Sequence, residues 1–495
     1  MATSSNLSCK VSSNNVSSRT GSRVKAGEVI ISSFPFIQLL KEDSKGKLCD
    51  FCFRSGKVRK CTGCAVDFYC SVPCQRKDWK ATHKYECSLL KKLQPHSITG
   101  TPRMLAKAII SLNNGGRSVT EKIDDNLTRS FGDLMTHEEC LLQNNELAET
   151  FGVLEKMLRC YFGTEISFNT NELLSIYGAL LVNGFGVTNC ESEEIGSALY
   201  LAASILDHSC LPNAGVTFDG SRIVVRALQD FPNFQWSQIN INYIDGLTCR
   251  EDRQRSLQRS YFFECHCQRC VDPEHNELEN SFLCGNDSCV GVLGVGVTTI
   301  ARCARCGFDG YSECAVQYWR VVARCRQLLQ DEMGNEVKCS LDAATDLLLE
   351  LCSVGKVASR KSTKTPVDQS LVRAIQGCAL HPFNIWRVKA VNAVNEAAIV
   401  EKNFNLAKDV GLTNVDAMRY YYGKNHQTYS FFLAKLSKLC VYCNDLYKGE
   451  ELLKEAQVSV RVSYGDQHPI YHSVSELCHQ TRVELATLAV PALKT

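Results

Sequence analysis

The clearest pattern lies at the C-terminal end of the chain. Runs such as AVQYWRVVARCRQLL and LDAATDLLLELC return an apolar residue every three or four positions, which predicts helices throughout residues 311–495. Three segments there echo one another: His381-Pro382-Phe383-Asn384-Ile385, His426-Gln427-Thr428-Tyr429 and His468-Pro469-Ile470-Tyr471. Each is expected to open a helix. Their starts lie 45 and 42 residues apart, and YYYGKNH aligns with SYGDQH, so helix pairs stacked as a solenoid are expected, with the histidines as structural turn residues. The polar run at 355–370 reads as a mobile linker. Upstream the pattern changes. Gly285, Gly291, Gly294, Gly296 and Gly307 surround short strands such as Val292–Val297, and DWKATHKYECSLLKKL reads as a helix with its lysines toward water. The longest uncharged apolar stretches, Ile195–Leu206 and Cys289–Ala301, fall short of the ~18 residues that span a bilayer, so no membrane segment is expected.

At 495 residues the chain has room for roughly three domains. Hydrophobic content of 44%, charged content of 22% and a net charge of +2 describe an ordinary globular protein. Cysteine is the outlier, at 28 residues. The N-terminus has no apolar core of the kind a secretory signal needs. It is rich in Ser, with Lys10, Arg19, Arg23 and Lys25 ahead of the first acidic residue, Glu28, a composition shared with transit peptides but without their apolar stripe. Cytosol and nucleus are the expected compartments, and in a reducing compartment clustered cysteines point to zinc rather than to disulfides.

Spacing sorts the cysteines. Cys49-x2-Cys52-x8-Cys61-x2-Cys64-x5-Cys70-x3-Cys74-x8-His83-x3-Cys87 supplies eight ligands, enough for two tetrahedral zinc ions. Cys265-x-Cys267-x2-Cys270 supplies three more, and Cys284-x4-Cys289-x13-Cys303-x2-Cys306 has the look of a zinc ribbon. Residues 41–107 hold 15 Lys or Arg against 6 Asp or Glu, so the finger is basic and could meet phosphates or acidic partners. Nucleic acid is the weaker of those two expectations.

The eight-ligand run resembles the MYND finger, a protein-interaction module. The resemblance implies crossed pairing, with Cys49, Cys52, Cys70 and Cys74 on one ion and Cys61, Cys64, His83 and Cys87 on the other, and a proline-containing peptide as partner. Asp207-His208-Ser209-Cys210-x-Pro212-Asn213 is similar to the (N/D)HSC-x-PN loop of SET-domain methyltransferases, Asn242-Tyr243 to their closing tyrosine, and the 265–270 motif to a post-SET zinc site. Together these motifs resemble the SET- and MYND-domain (SMYD) family of protein-lysine methyltransferases. That resemblance implies an α+β fold: 1–48 and 181–246 as a split β-rich SET core, 49–87 as the finger, 88–180 as a helical insertion, 247–310 as the post-SET region with an extra ribbon, and 311–495 as a tetratricopeptide-like helical domain.

The same resemblance makes Cys210 the fourth ligand of the post-SET zinc, for about four zinc ions in all. It places Phe185, Tyr243 and Tyr261 around the target lysine and assigns S-adenosylmethionine to Asn183, Ser204, Leu206, Asp207, His208 and Phe263. Asp207 replaces the commoner Asn but can still accept hydrogen bonds from the cofactor's ammonium. Free lysine has a pKa near 10.4, so an apolar aromatic channel beside a sulfonium helps by disfavouring the protonated amine. Two segments depart from the family. Ser12–Ser18 stands where a glycine-rich turn usually approaches the cofactor, and Phe234-Gln235-Trp236-Ser237-Gln238 replaces a G-E-E-(L/I) run. These departures keep a rival expectation open, a binding scaffold with an inactive SET core. The reading is of a monomer acting on a histone or non-histone protein.

Overall fold

The computed structural model describes residues 19–330, 338–355 and 367–489, so the Ser12–Ser18 segment and most of the 355–370 linker lie outside the described residues. The fold is mixed α+β with a helical C-terminal region. Among the described residues the β part holds two antiparallel three-stranded sheets beside four two-stranded ones; the larger are ordered Val29–Ser33, Arg222–Ala227, Ala214–Asp219 and Ile37–Leu40, Glu194–Leu199, Gly184–Thr188. In each of these larger sheets a strand before residue 41 pairs with strands after residue 183, so the finger and the helices at 100–183 form an excursion between paired strands. Alternation drives the pairing: Ile223, Val225 and Ala227 point inward and are fully buried, while the residues between them are half-buried.

The finger is built from repeated turns. Its Cys49–Cys52 and Cys61–Cys64 turns, like the Cys303–Cys306 turn outside the finger, each close with a backbone N–H two positions past a central pair: Phe53, Ala65 and Gly307 donate to the carbonyls of Cys49, Cys61 and Cys303, each at 2.9 Å. All three closing residues have positive φ, 57°, 61° and 77°. At Phe53 the left-handed backbone costs about 1–2 kcal/mol, offset by a ring that is 2% exposed. That ring lies against Gly196 of the second sheet, where a Cβ would come within 2.7 Å of it. The hairpin turn at Gly220 touches the finger as closely, since a Cβ there would sit 2.3 Å from the Cys52 carbonyl.

DWKATHKYECSLLKKL is helical, but only partly a solvated face. Lys80, Lys84, Lys91 and Lys92 are exposed, whereas Asp78, Thr82, His83, Glu86 and Cys87 are buried. A π-turn at Trp79–His83 inserts one extra residue between the helices Val72–Asp78 and Lys84–Leu93. Beneath them the helix Gly100–Asn113 contributes two buried cations. Arg103 binds both oxygens of Asp67, at 2.9 and 2.7 Å, and Glu86 at 2.7 Å; Lys107 lies 3.3 Å from Glu86. Burial alone would raise the Glu86 carboxyl, but Arg103 and Lys107 hold it down to about 2. Arg103→Met should leave Asp67 and Glu86 short of their main counter-ion and lower stability by about 3–5 kcal/mol, read as a fall in the urea midpoint; an unchanged midpoint would refute the dependence of the finger on this cluster.

The helical region follows the expected echo with one adjustment. Helices begin at Gln427 and Pro469, directly after His426 and His468, but the first begins at Ile385 with Asn384 as its cap, three residues beyond His381. Asn384 accepts from the N–H groups of Trp386 and Arg387 and displaces His381 from the cap position. The strand expected over Val292–Val297 is also shorter. It pairs with Ser281–Leu283 only over Val292–Gly294, because Gly296 turns the chain by bonding to Thr299.

All three histidines nonetheless perform one task. His381, His426 and His468 accept at Nδ1 from the N–H two residues ahead, on Phe383, Thr428 and Ile470, at 3.0, 3.2 and 3.3 Å. Burial pushes each imidazole down to about 4. The unfolded chain therefore binds more protons between pH 6.5 and 4, so stability falls as pH drops through that window, by at most about 1.4 kcal/mol per pH unit for each histidine. His381 and His468 are partly exposed, which reduces their share. The double variant His381→Asn/His468→Asn should show a shallower loss of urea resistance from pH 7 to 4.5 than the parent; parallel curves would rule this out.

Candidate active site and metal centres

Among the described residues, four groups of Cys and His ligand atoms lie within 4.8 Å of one another: Cys49, Cys52, Cys70 and Cys74; Cys61, Cys64, His83 and Cys87; Cys210, Cys265, Cys267 and Cys270; and Cys284, Cys289, Cys303 and Cys306; a fifth group, Asp67, Asp78 and His83, shares His83 with the second. Four sulfurs 2.3 Å from one ion stand about 3.8 Å apart in a tetrahedron. The observed separations match: 3.7 Å for Cys52–Cys70, 3.9 Å for Cys61–Cys87, 3.6 Å for Cys210–Cys270, and 3.4 and 3.6 Å for Cys284–Cys306 and Cys289–Cys303. All four groups fit zinc. His83 turns Nε2 toward Cys61 and Cys64, at 3.3 and 3.7 Å, while Asp67 lies 3.1 Å from Nδ1 and orients the ring, the arrangement expected of a zinc-binding histidine. The π-turn is what brings His83 there.

The third group ties a loop to a distant tail. Cys210 follows the short parallel strand pair Asp207–His208 with Asn240–Ile241, and its three companions follow the helix Arg250–Tyr261. Gln254 clamps the Cys265 backbone in both directions, donating to its carbonyl at 2.7 Å and accepting its N–H at 2.8 Å. Arg253, fully buried, approaches Cys270 Sγ at 3.7 Å and donates to Glu279 at 2.5 Å. Four thiolates around a divalent ion carry net negative charge, and Arg253 is the neighbouring cation that compensates it.

An aromatic cluster rests on this group. Tyr243 and Tyr261 have ring centroids 4.8 Å apart, His208 lies 5.3 Å from Tyr243, and Phe263 lies 6.0 Å from His208. Tyr243 is held at both ends: its N–H donates to His208 Nδ1 at 3.0 Å and its hydroxyl to the Leu206 carbonyl at 2.5 Å. Burial and nearby Asp207 raise its phenol, so it stays protonated and acts as a donor. Asp207 is exposed and Phe263 half-buried, leaving a carboxylate and part of a ring surface accessible.

The other expected site residues, Asn183 and Ser204 for the cofactor and Phe185 for the target lysine, have their observed contacts outside this ring cluster. Asn183 ends the helix Thr170–Asn183, buried, with Nδ2 donating to the carbonyls of Met135 and Ala179. Ser204 donates to the Leu201 carbonyl and receives Arg129 Nε at 3.3 Å. Phe185 packs edge-on against Tyr200, at 5.7 Å. Several contacts were not foreseen: Arg129 on Ser204, and Asp124 with Trp236. Trp236, inside one of the divergent segments, donates Nε1 to Asp124 at 2.9 Å, and Asp124 also accepts from Arg19 and Thr20. These contacts join residues about 100 positions apart, and no local motif marks them.

The remaining cysteines divide. Cys249, Cys325, Cys352, Cys378, Cys440 and Cys478 are buried, as core thiols are, but Cys160 and Cys190 are exposed. Among the described residues no helix is long and apolar enough to cross a membrane.

Comparison with known proteins adds two findings. A model of the MYND finger matches residues 49–87. The chain is 31% identical over 456 residues to the human histone-lysine N-methyltransferase SMYD3, covering 90% of each chain. It is 24% identical over 463 residues to the N-lysine methyltransferase SMYD2 of Bos taurus, covering 91% of this chain and 93% of that one. A histone-lysine N-methyltransferase of Arabidopsis thaliana, ASHR1, is 29% identical over 282 residues, 54% of this chain and 57% of its own.

Elemental analysis of the purified chain should return about four zinc per molecule. A chelator should strip the groups containing exposed Cys70 and Cys306 first and the fully buried Cys61/Cys64/His83/Cys87 group last. Three equivalents, with the Cys284–Cys306 thiols the one ligand set open to alkylation, would delete the ribbon site.

Proposed function

The chain belongs to the SMYD family of lysine methyltransferases, and from that premise we propose that it methylates a lysine side chain on a protein substrate, histone or non-histone, using S-adenosylmethionine. The observation that carries the proposal is the joint of Cys210 to the post-SET tail with the Tyr243, Tyr261, His208 and Phe263 cluster resting on it. S-adenosylmethionine supplies a methyl group already activated by a sulfonium, so the chain's task is alignment and desolvation.

On this reading the exposed Asp207 carboxylate receives the cofactor's ammonium and the open face of Phe263 receives its adenine, with Asn183, Ser204 and Leu206 shaping the loop. Phe185, Tyr243 and Tyr261 wall the path of the lysine. Their faces accept a cation on entry, and their low polarity favours loss of its proton to solvent before attack. Tyr243, protonated and anchored on the Leu206 carbonyl, sets the direction from which the amine approaches. The split SET core, the post-SET region and the helical repeats take the boundaries given by the motifs. The finger recruits proline-containing peptides, and the protein works in the cytoplasm and nucleus.

Saturating S-adenosylmethionine at a hundredfold excess over Kd should stabilise the fold by about 2.7 kcal/mol, visible as a rise in Tm. Tyr243→Phe should keep that rise but lower kcat on a peptide-array substrate by about 10²-fold or more. No thermal response would favour the scaffold reading; full turnover by Tyr243→Phe would remove the role assigned to its hydroxyl.

A further inference from the structure

The three repeat histidines differ in one respect. Each spends Nδ1 on the N–H two residues ahead, which leaves the proton of the neutral ring on Nε2. In His426 that Nε2 lies 3.2 Å from Asn242 Oδ1, on the strand-end segment that carries Tyr243. Asn242 passes the contact on, donating Nδ2 to the Ile244 carbonyl at 3.1 Å, so its side chain spans Tyr243 from the residue before to the residue after. The Tyr243 backbone is therefore bracketed by His208 at its N–H, by Tyr261 Oη at 3.5 Å from its carbonyl, and by Asn242 across the next peptide. Among the described residues, the Asn242 bracket is the one seen held from the helical region.

The corner that holds it is rigid. His426 is 2% exposed and stacks on Tyr422, with centroids 5.3 Å apart at 26°. Tyr422 donates its hydroxyl to Asp245, and Asn425 donates to the Leu228 carbonyl at 2.8 Å. Residues 422–426 thus grip the segment 242–245 on both sides of Tyr243 and Ile244.

We propose that His426 is a positioning residue for methyl transfer: through Asn242 it fixes the backbone that aims the Tyr243 hydroxyl, so the helical region sets the geometry of the catalytic tyrosine. The inference rests on the methyltransferase reading above. It predicts a loss in the aligned step and not in cofactor binding, because the observed bonds of the Asn242 side chain run to His426 and to the Ile244 carbonyl and not to Asp207 or Phe263.

The test uses the full chain and an internal control. His426→Asn keeps a side chain able to cap the helix Gln427–Tyr442 but too short to reach Asn242; His468→Asn makes the same change where Nε2 has no such duty. His426→Asn should lower kcat about tenfold with KM for S-adenosylmethionine within about twofold, and His468→Asn should change neither. His426→Gln, with a longer amide, should recover part of the loss. Equal kinetic losses in the two Asn variants, or none in His426→Asn, overturn the proposal. A double-mutant cycle of His426→Asn with Asn242→Ala, followed by urea unfolding, reads the contact without activity: non-additive midpoints support the bridge, and additive ones overturn it even where wild-type transfer is intact. A wild type that binds S-adenosylmethionine but transfers no methyl overturns the methyltransferase reading and, with it, the positioning role, whatever the cycle returns.

Discussion

Most of the site depends on one constraint, the tie between Cys210 and the cysteines at 265–270. Without it, the loop carrying Asp207 and His208 and the tail carrying Tyr261 and Phe263 would be joined only by short strands and ring contacts. With a metal in the group, four thiolates from two segments share one tetrahedron, and the rings of Tyr243, Tyr261 and Phe263 pack onto its wall. The charge is managed next door. Arg253 compensates the thiolates, Glu279 receives both Arg253 and Arg269, and Arg269 returns to the Gly246 carbonyl at 2.6 Å, just past Tyr243. Loss of the ion would therefore disturb the buried ion triad as well as the rings.

The finger is attached by a different logic. Its C-x2-C turns need a left-handed closing residue, and at Phe53 that requirement is met by a bulky side chain rather than by glycine. The ring is then free to be the anchor, entering the sheet where Gly196 leaves room. Under the same finger, Arg103 and Lys107 reach Asp67, Glu86 and Asp78, and Asp67 touches His83. Finger geometry and the helix Gly100–Asn113 are consequently one unit. A cluster of this kind gives little net stability over apolar packing, but removing one partner is costly. Its effect is to make the docking specific.

What could be read in advance follows from distance along the chain. The zinc ligands were legible because most of each set lies in tight turns with fixed spacing; Cys210 needed the family, since it stands 55 residues from its nearest partner. The helical echo was legible from period, and it misplaced only the first start, where Asn384 outcompetes His381 as a cap. The π-turn at Trp79–His83 was not visible, because one inserted residue leaves the apolar period of a short helix almost unchanged. Nor was the pairing of Trp236 with Asp124, which shows how a divergent segment is accommodated: the indole N–H supplies a donor to a carboxylate that also gathers Arg19 and Thr20. Side-chain bonds across 100 residues carry no period, so composition and spacing are silent about them.

The repeated histidines show how a structural residue acquires a second duty. All three histidines spend Nδ1 on the N–H two residues ahead, and at His426 that bond caps the helix. The other nitrogen is left to whatever the fold brings near. For His426 that is Asn242. Burial keeps the ring neutral, which fixes the tautomer: Nδ1 must accept and Nε2 must donate. An Asn cap would satisfy the helix equally well, so the helix alone does not require histidine at 426. The requirement comes from reach, since only a ring that caps with one nitrogen and extends the other can join a helix start to a strand end in a different part of the fold.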